Sequence, residues 1–218
     1  MTIQELHHIF LNSSGVCTDS RKIEKNNIFF ALKGANFNGN LFAEQAIQEG
    51  CSYAIIDEKE FQKSEQYILV DGVLECLQKL SSYHRKQLNC PVIGITGTNG
   101  KTTTKELIYA VLNTQYRTIA TQGNFNNHIG VPLTLLSTPL DTEILIVEMG
   151  ANNPGEIAFL SNRGMYVPKP VFETGSGFVW SAIIVAFVLV LLLIFTNFSR
   201  VVIFGDRVTN ICLRSMKV

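Results

Sequence analysis

The chain has no charge imbalance: its 218 residues hold 18 Lys and Arg against 18 Asp and Glu. A basic face for nucleic acid is therefore not expected. Cysteine is present without pattern, because Cys17, Cys51, Cys76, Cys90 and Cys212 show no paired spacing. That excludes a zinc-finger-like site or a disulfide framework, and a reducing cytoplasm is expected for roughly the first three-quarters of the chain. The opening segment also lacks a signal-peptide pattern, since Met1 to Leu11 carries Glu5, two histidines and no leading basic run.

A strict phosphate-loop motif is missing too, because Ile95 stands where its first glycine would fall and Gly94 comes one residue early. What is present is the run Val-Ile-Gly-Ile-Thr-Gly-Thr-Asn-Gly-Lys-Thr-Thr-Thr from Val92 to Thr104. Val92, Ile93 and Ile95 read as a buried strand. Lys101 opens a helix with Leu107, Ile108, Val111 and Leu112 on one side. Small loop residues let backbone N–H groups approach an anion at a helix start, a lysine adds full charge, and a hydroxyl reaches a metal. Gly97 to Thr103 is thus the expected phosphate cradle, in preference to a plain glycine turn.

Downstream, Ile144 to Val147 reads as a second buried strand ending in Glu148. In open α/β sheets the ligand crevice lies beyond the carboxyl ends of the strands, which sets Glu148 beside the loop. A hard oxygen ligand there suits Mg²⁺, shared with the Thr102 hydroxyl. Between them, Gly123 to Pro132 holds Asn124, Asn126 and Asn127, either orienting phosphate and metal-bound water or forming an asparagine-rich turn.

The N-terminal part reads as scaffold with two polar loops. Thr2 to Glu5 matches a helix capping box, with Ile3, Leu6 and Phe10 on one face and His7 and His8 solvated or edge-packed. Loops at Cys17 to Lys22 and Lys33 to Asn40 flank the strand-like Ile28 to Leu32, and converge on a ligand or form two surface turns. A helix from Leu41 to Gln48, strands at Tyr53 to Ile56 and Tyr67 to Val70, and a helix from Val73 to Leu88 with His84 at its edge follow. Pro91 then marks a boundary.

These residues resemble the Mur ligases, ATP-dependent amide-bond-forming enzymes of peptidoglycan assembly. The resemblance rests on Thr18-Asp19-Ser20-Arg21, Phe29 to Gly34, Thr96 to Thr102, Asn124 to Pro132 and Glu148 to Ala151. Met149-Gly150-Ala151 is similar to the branch that adds D-alanyl-D-alanine to UDP-N-acetylmuramoyl-tripeptide. The resemblance implies ATP and Mg²⁺ as cofactors and those two molecules as substrates. It assigns Gly97, Thr98, Asn99, Gly100, Lys101, Thr102, Thr103, Asn126 and Asn127 to ATP. Thr102 and Glu148 go to the metal, Lys101 and Glu148 to catalysis, and Ser20, Arg21, Lys33 and Asn38 to the UDP-sugar. Asn38-Gly39-Asn40 departs from the family's usual Asp-Gly-His.

The family pattern is expected to stop near Asn162, short of the carbamylated lysine and C-terminal domain that such ligases use. A chain so read is an α/β protein with a substrate domain at 1–88 and the truncated start of a P-loop parallel-sheet ATPase domain at 89–162, the open sheet leaving an apolar edge exposed. A linker at 163–176, a transmembrane helix at 177–199 and a basic tail at 200–218 complete it. The run Phe178 to Phe198 is long enough for a bilayer, which needs about 20 apolar residues, although two buried strands would also account for its β-branched content. The basic flanks conflict with a cytoplasmic ATP site, so the tail is expected to be foreign to the ligase, through frameshift, fusion or assembly error. Three behaviours follow: a cytoplasmic ligase lineage without turnover in this chain, a membrane-tethered binding module, or an inert fragment.

Overall fold

The computed structural model describes residues 1–96 and 99–150, together with the backbone of 201–203. The chain divides into two compact units, Met1–Arg85 with Leu135–Ser137, and Lys86–Thr134 with the described residues from Thr138 onward.

The first unit begins with helix α1 (Ile3–Leu11). Thr2 Oγ1 accepts the Glu5 N–H at 3.3 Å, and the Glu5 carboxylate accepts the Thr2 N–H at 2.7 Å, so the capping box forms. Strands β1 (Val16–Cys17) and β2 (Ile28–Phe30) follow, then a small hairpin of β3 (Lys33–Gly34) and β4 (Phe37–Asn38). A 3₁₀ turn at Gly39–Phe42 leads into α2 (Ala43–Gln48), followed by β5 (Tyr53–Ile56), β6 (Tyr67–Leu69) and α3 (Val73–Gln87). The sheet order is β1-β2-β5-β6 with every pair parallel. Ile28, Phe29 and Phe30 are all buried, as expected of a strand covered on both faces rather than one with alternating exposure. Gly39 is required by space: a Cβ there would stand 2.4 Å from the Leu32 carbonyl oxygen.

His7 departs from the solvated or edge-packed position expected of it. It is buried on the Leu6 and Phe10 face of α1, and its Nε2 lies 3.0 Å from Nδ1 of the equally buried His84 on α3. Each ring supplies the polar partner that the other needs out of water, so His84 is an interior residue rather than a helix-edge one.

The second unit contains β7 (Val92–Ile95), α4 (Lys101–Leu112), β8 (Thr118–Ala120), α5 (Gly130–Leu136), β9 (Ile144–Glu148) and β10 (Val201–Ile203). The order is β10-β7-β9-β8, with β7, β9 and β8 parallel and β10 antiparallel to β7. The fold is therefore mixed α/β built on parallel sheets. The β7 edge is paired by β10, so the second sheet is mixed rather than wholly parallel. Ile95, Ile108, Leu112 and Ile146 share one core cluster, each fully buried aliphatic side chain contributing about 1.5–3 kcal/mol. Leu107 and Val111, expected inward on α4, are 43% and 39% exposed. The inward stripe instead runs Thr104, Lys105, Ile108 and Leu112.

The expected transmembrane helix at 177–199 lies outside the described residues. Among the described residues no helix is long and apolar enough to cross a membrane. Val201–Ile203, which follow that run in sequence, pair antiparallel with β7.

Candidate functional site

Because β7, β9 and β8 are parallel, their carboxyl ends share one edge, where Thr96, Glu148 and Thr121 emerge. Glu148 is 2% exposed, an expensive place for a carboxylate unless it is partnered. Its Oε2 accepts the Thr102 hydroxyl at 3.1 Å and its Oε1 accepts the Asn126 Nδ2 amide at 2.9 Å. Its backbone N–H donates to Thr121 Oγ1 at 3.0 Å. Gly150 packs so near Asn126 that a Cβ would lie 3.2 Å from the amide. Helix α4 starts from Gly100, which holds the left-handed conformation with φ of 73° and supplies no side-chain cap. The first-turn amides of α4 therefore receive no side-chain cap from this position.

The donor set fits Mg²⁺. Two oxygens on neighbouring corners of an octahedron with metal–oxygen distances of 2.0–2.1 Å stand about 3 Å apart, and Thr102 Oγ1 and Glu148 Oε2 are 3.1 Å apart. Among the described residues no group of three or more His, Cys, Asp or Glu side chains forms a self-contained metal cage.

The structure separates the two asparagines. Asn126 reaches Glu148, whereas Asn127 Oδ1 accepts the N–H groups of Ile129 at 3.0 Å and Gly130 at 2.8 Å. Asn127 is thus the N-cap of α5. Asn99, Thr102 and Thr103 are exposed at the loop's end; Gly97 and Thr98 lie outside the described residues. A groove of about 340 Å³ lined by Pro91, Tyr116, Arg117, Asp141 and Glu143 opens at the amino ends of β7 and β9, the opposite edge of the sheet. It is remote from this chemistry.

In the first unit the parallel order likewise gathers the segments after β1, β2 and β5 at one edge. Lys33 Nζ sits 2.9 Å from both Asp57 and Glu58. Asn38 Nδ2 donates to the Glu58 oxygens at 3.2 and 3.1 Å, and Asn40 Nδ2 donates to Asp57 at 2.9 Å. Glu58 and then Asp57 raise the Lys33 pKa. Burial pushes Asp57 up, but Lys33 and Asn40 outweigh it and its pKa falls; Lys33 and Asn38 likewise lower Glu58. Arg21 forms a bidentate pair with Asp19 at 2.8 Å, with the arginine side chain 85% exposed. Its hydrogen bonds lower Asp19 to about 2. Ser20 lies in the turn between them. Asp57 and Glu58 were not singled out by sequence, yet they follow β5 directly, at the same kind of strand end that Glu148 occupies on β9. Cys51 and Cys76 are pushed by burial to about 11, thiols without the acidity of a nucleophile.

Family models match two contiguous stretches: "Mur ligase family, catalytic domain" over residues 12–95 and "Mur ligase middle domain" over 95–167. The second runs five residues past Asn162, where the pattern was expected to stop. The chain is 50% identical over 149 residues to the UDP-N-acetylmuramoyl-tripeptide–D-alanyl-D-alanine ligase of Bacillus subtilis, covering 67% of this chain and 33% of that one. It is 36% identical over 155 residues to the Escherichia coli ligase of the same name, covering 71% and 34%. The MurF ligase of Thermotoga maritima, solved with ADP, superposes with a TM-score of 0.62 at 34% identity, over 69% of this chain and 35% of that one. This chain thus spans about a third of the length of the relatives it matches. With both family models in register along residues 12–167 and these likenesses in sequence and fold, the chain belongs to the Mur ligase family.

Proposed function

We propose that this chain carries the nucleotide site of an ATP-dependent ligase that joins D-alanyl-D-alanine to UDP-N-acetylmuramoyl-tripeptide in the cytoplasm. The observation that carries the reading is the Thr102–Glu148 pair at 3.1 Å, on the sheet edge where Lys101 opens α4. In that reaction the substrate carboxylate attacks the γ-phosphorus of ATP, giving an acyl phosphate and ADP. The amine then adds to the acyl carbon, and collapse of the tetrahedral adduct releases phosphate and the amide.

The chain's own residues have distinct parts in this scheme. Gly97 to Thr103 cradles the phosphates with backbone N–H groups, and the Lys101 ammonium offsets charge on the transferred group. Thr102 and Glu148 hold Mg²⁺, which supplies Lewis-acid stabilisation of the phosphate oxygens. Asn126 fixes the Glu148 carboxylate. In the first domain, 1–88, Ser20, Arg21, Lys33 and Asn38 meet the UDP-sugar, with Lys33 and Asn38 held for it by Asp57 and Glu58. Residues 89–162 form the ATP-binding part.

Because the chain spans about a third of its relatives, binding rather than turnover is the decisive readout. Isothermal titration is expected to show one site for ADP that strengthens with Mg²⁺, and one for the UDP-sugar that Lys33→Ala weakens. Nucleotide binding indifferent to both Mg²⁺ and Glu148→Ala would refute the proposal.

A further inference from the structure

Lys105 has no part in the scheme above, yet it is one of the largest fully buried side chains, 1% exposed beneath the candidate site. Its ammonium donates to the Thr121 backbone carbonyl at 2.7 Å and pairs with Glu106 at 2.9 Å. Glu106 is 61% exposed at its side chain, so the pair reaches solvent on one side only. An aliphatic side chain would fill this core at far lower desolvation cost than an ammonium. The buried charge therefore calls for a positional explanation.

The hydrogen bonds around Thr121 supply one. Thr121 donates its N–H to the Ile146 carbonyl at 2.9 Å, accepts from Lys105 on its own carbonyl, and accepts the Glu148 N–H on its hydroxyl. Glu148 in turn accepts the Thr102 hydroxyl, and Thr102 and Lys105 sit three residues apart on α4. Residues so spaced are neighbours on a helix surface. The contacts close a ring: α4 through Lys105 to Thr121, Thr121 to Glu148, and Glu148 back to α4 through Thr102.

We infer that Lys105 is a positioning residue, which through Thr121 fixes the first turn of α4 against the end of β9 so that the Thr102 and Glu148 oxygens hold the spacing a nucleotide-bound divalent cation requires. It does not touch the nucleotide. The inference rests on the nucleotide-site reading, and it makes Lys105 a determinant of metal coupling rather than of nucleotide affinity as such.

The test titrates ADP into the full chain with Mg²⁺ and again with a chelator. In the parent, Mg²⁺ should tighten ADP binding by about tenfold or more. Lys105→Met should cut that ratio to about twofold while the chelator value stays within about twofold of the parent. Lys105→Arg, which keeps a donor for the Thr121 carbonyl, should restore part of it. Thr121→Val removes the hydroxyl that receives the Glu148 N–H; it should reproduce the loss and carries the test if Lys105→Met does not fold. A parent-like ratio in Lys105→Met or in Thr121→Val overturns the inference and leaves the nucleotide site standing. A parent that binds no ADP overturns both.

Discussion

Glu148 bears the largest share of the proposed chemistry because it is buried and both its oxygens are engaged, one by a hydroxyl and one by an amide. Glu148→Gln keeps the shape and can still donate to Thr102 and accept from Asn126, but it removes the charge. The expected outcome is a folded protein whose Mg²⁺-dependent gain in ADP affinity drops about tenfold or more in a calorimetric titration. Asn127 offers the contrast, since it caps α5 instead of reaching Glu148. Asn127→Ala should cost about 1 kcal/mol in denaturant unfolding and leave ADP affinity with Mg²⁺ near that of the parent. A large loss of affinity would show that Asn127 serves the nucleotide as well as the cap. Being adjacent in sequence, the two asparagines read as sharing one role; only the path of the chain into α5 separates them.

At the scale of elements, α1 and α3 meet through the His7–His84 pair. Burial first, and then His84, lower the His7 pKa. A histidine whose folded pKa lies below its unfolded value contributes stability that is complete above the unfolded value, about 6.5, and is lost as pH falls. Thermal unfolding followed by circular dichroism should therefore show a falling melting temperature between about pH 7 and 5, flattened in His7→Gln. The carboxylates lowered by Lys33 and Arg21 act in a more acidic window, since their ordinary values are 3.8 and 4.5. An unchanged slope in His7→Gln would detach the pH response from this pair.

Strands β2, β5, β6, β7 and β9 were legible because runs such as Ile144 to Val147 are apolar, and the capping box because Thr2 and Glu5 lie three residues apart; β1 and β10 were not, since Cys17 was read in a polar loop and Val201–Ile203 in the basic tail. Contacts distant in sequence were not. Lys105 meets Thr121 sixteen residues on, and His7 meets His84 seventy-seven residues on. Nothing in helical spacing marks a buried lysine or histidine as partnered. The outward turn of Leu107 and Val111 was hidden for a related reason: four apolar residues exceed what one face of α4 buries, and the sheet selects Ile108 and Leu112.

At the scale of the whole molecule, two parallel-sheet units each bring loop residues to a carboxyl edge, and the family match runs through both. The antiparallel pairing of β10 with β7 ties Val201–Ile203 to the second sheet. Reporters fused at residue 1 and residue 218 should then fall on the same side of the membrane in a protease-accessibility assay. Protection of one and digestion of the other would establish the single span. The nucleotide site is tested most directly by calorimetric titration of Mg²⁺·ADP into the full chain and into Lys101→Ala. The expected result is one site per chain in the parent and a loss of affinity of about tenfold to a hundredfold in the variant, an interaction with charged phosphate being worth about 1.5–3 kcal/mol. Equal binding by the two proteins, or none by either, would contradict it.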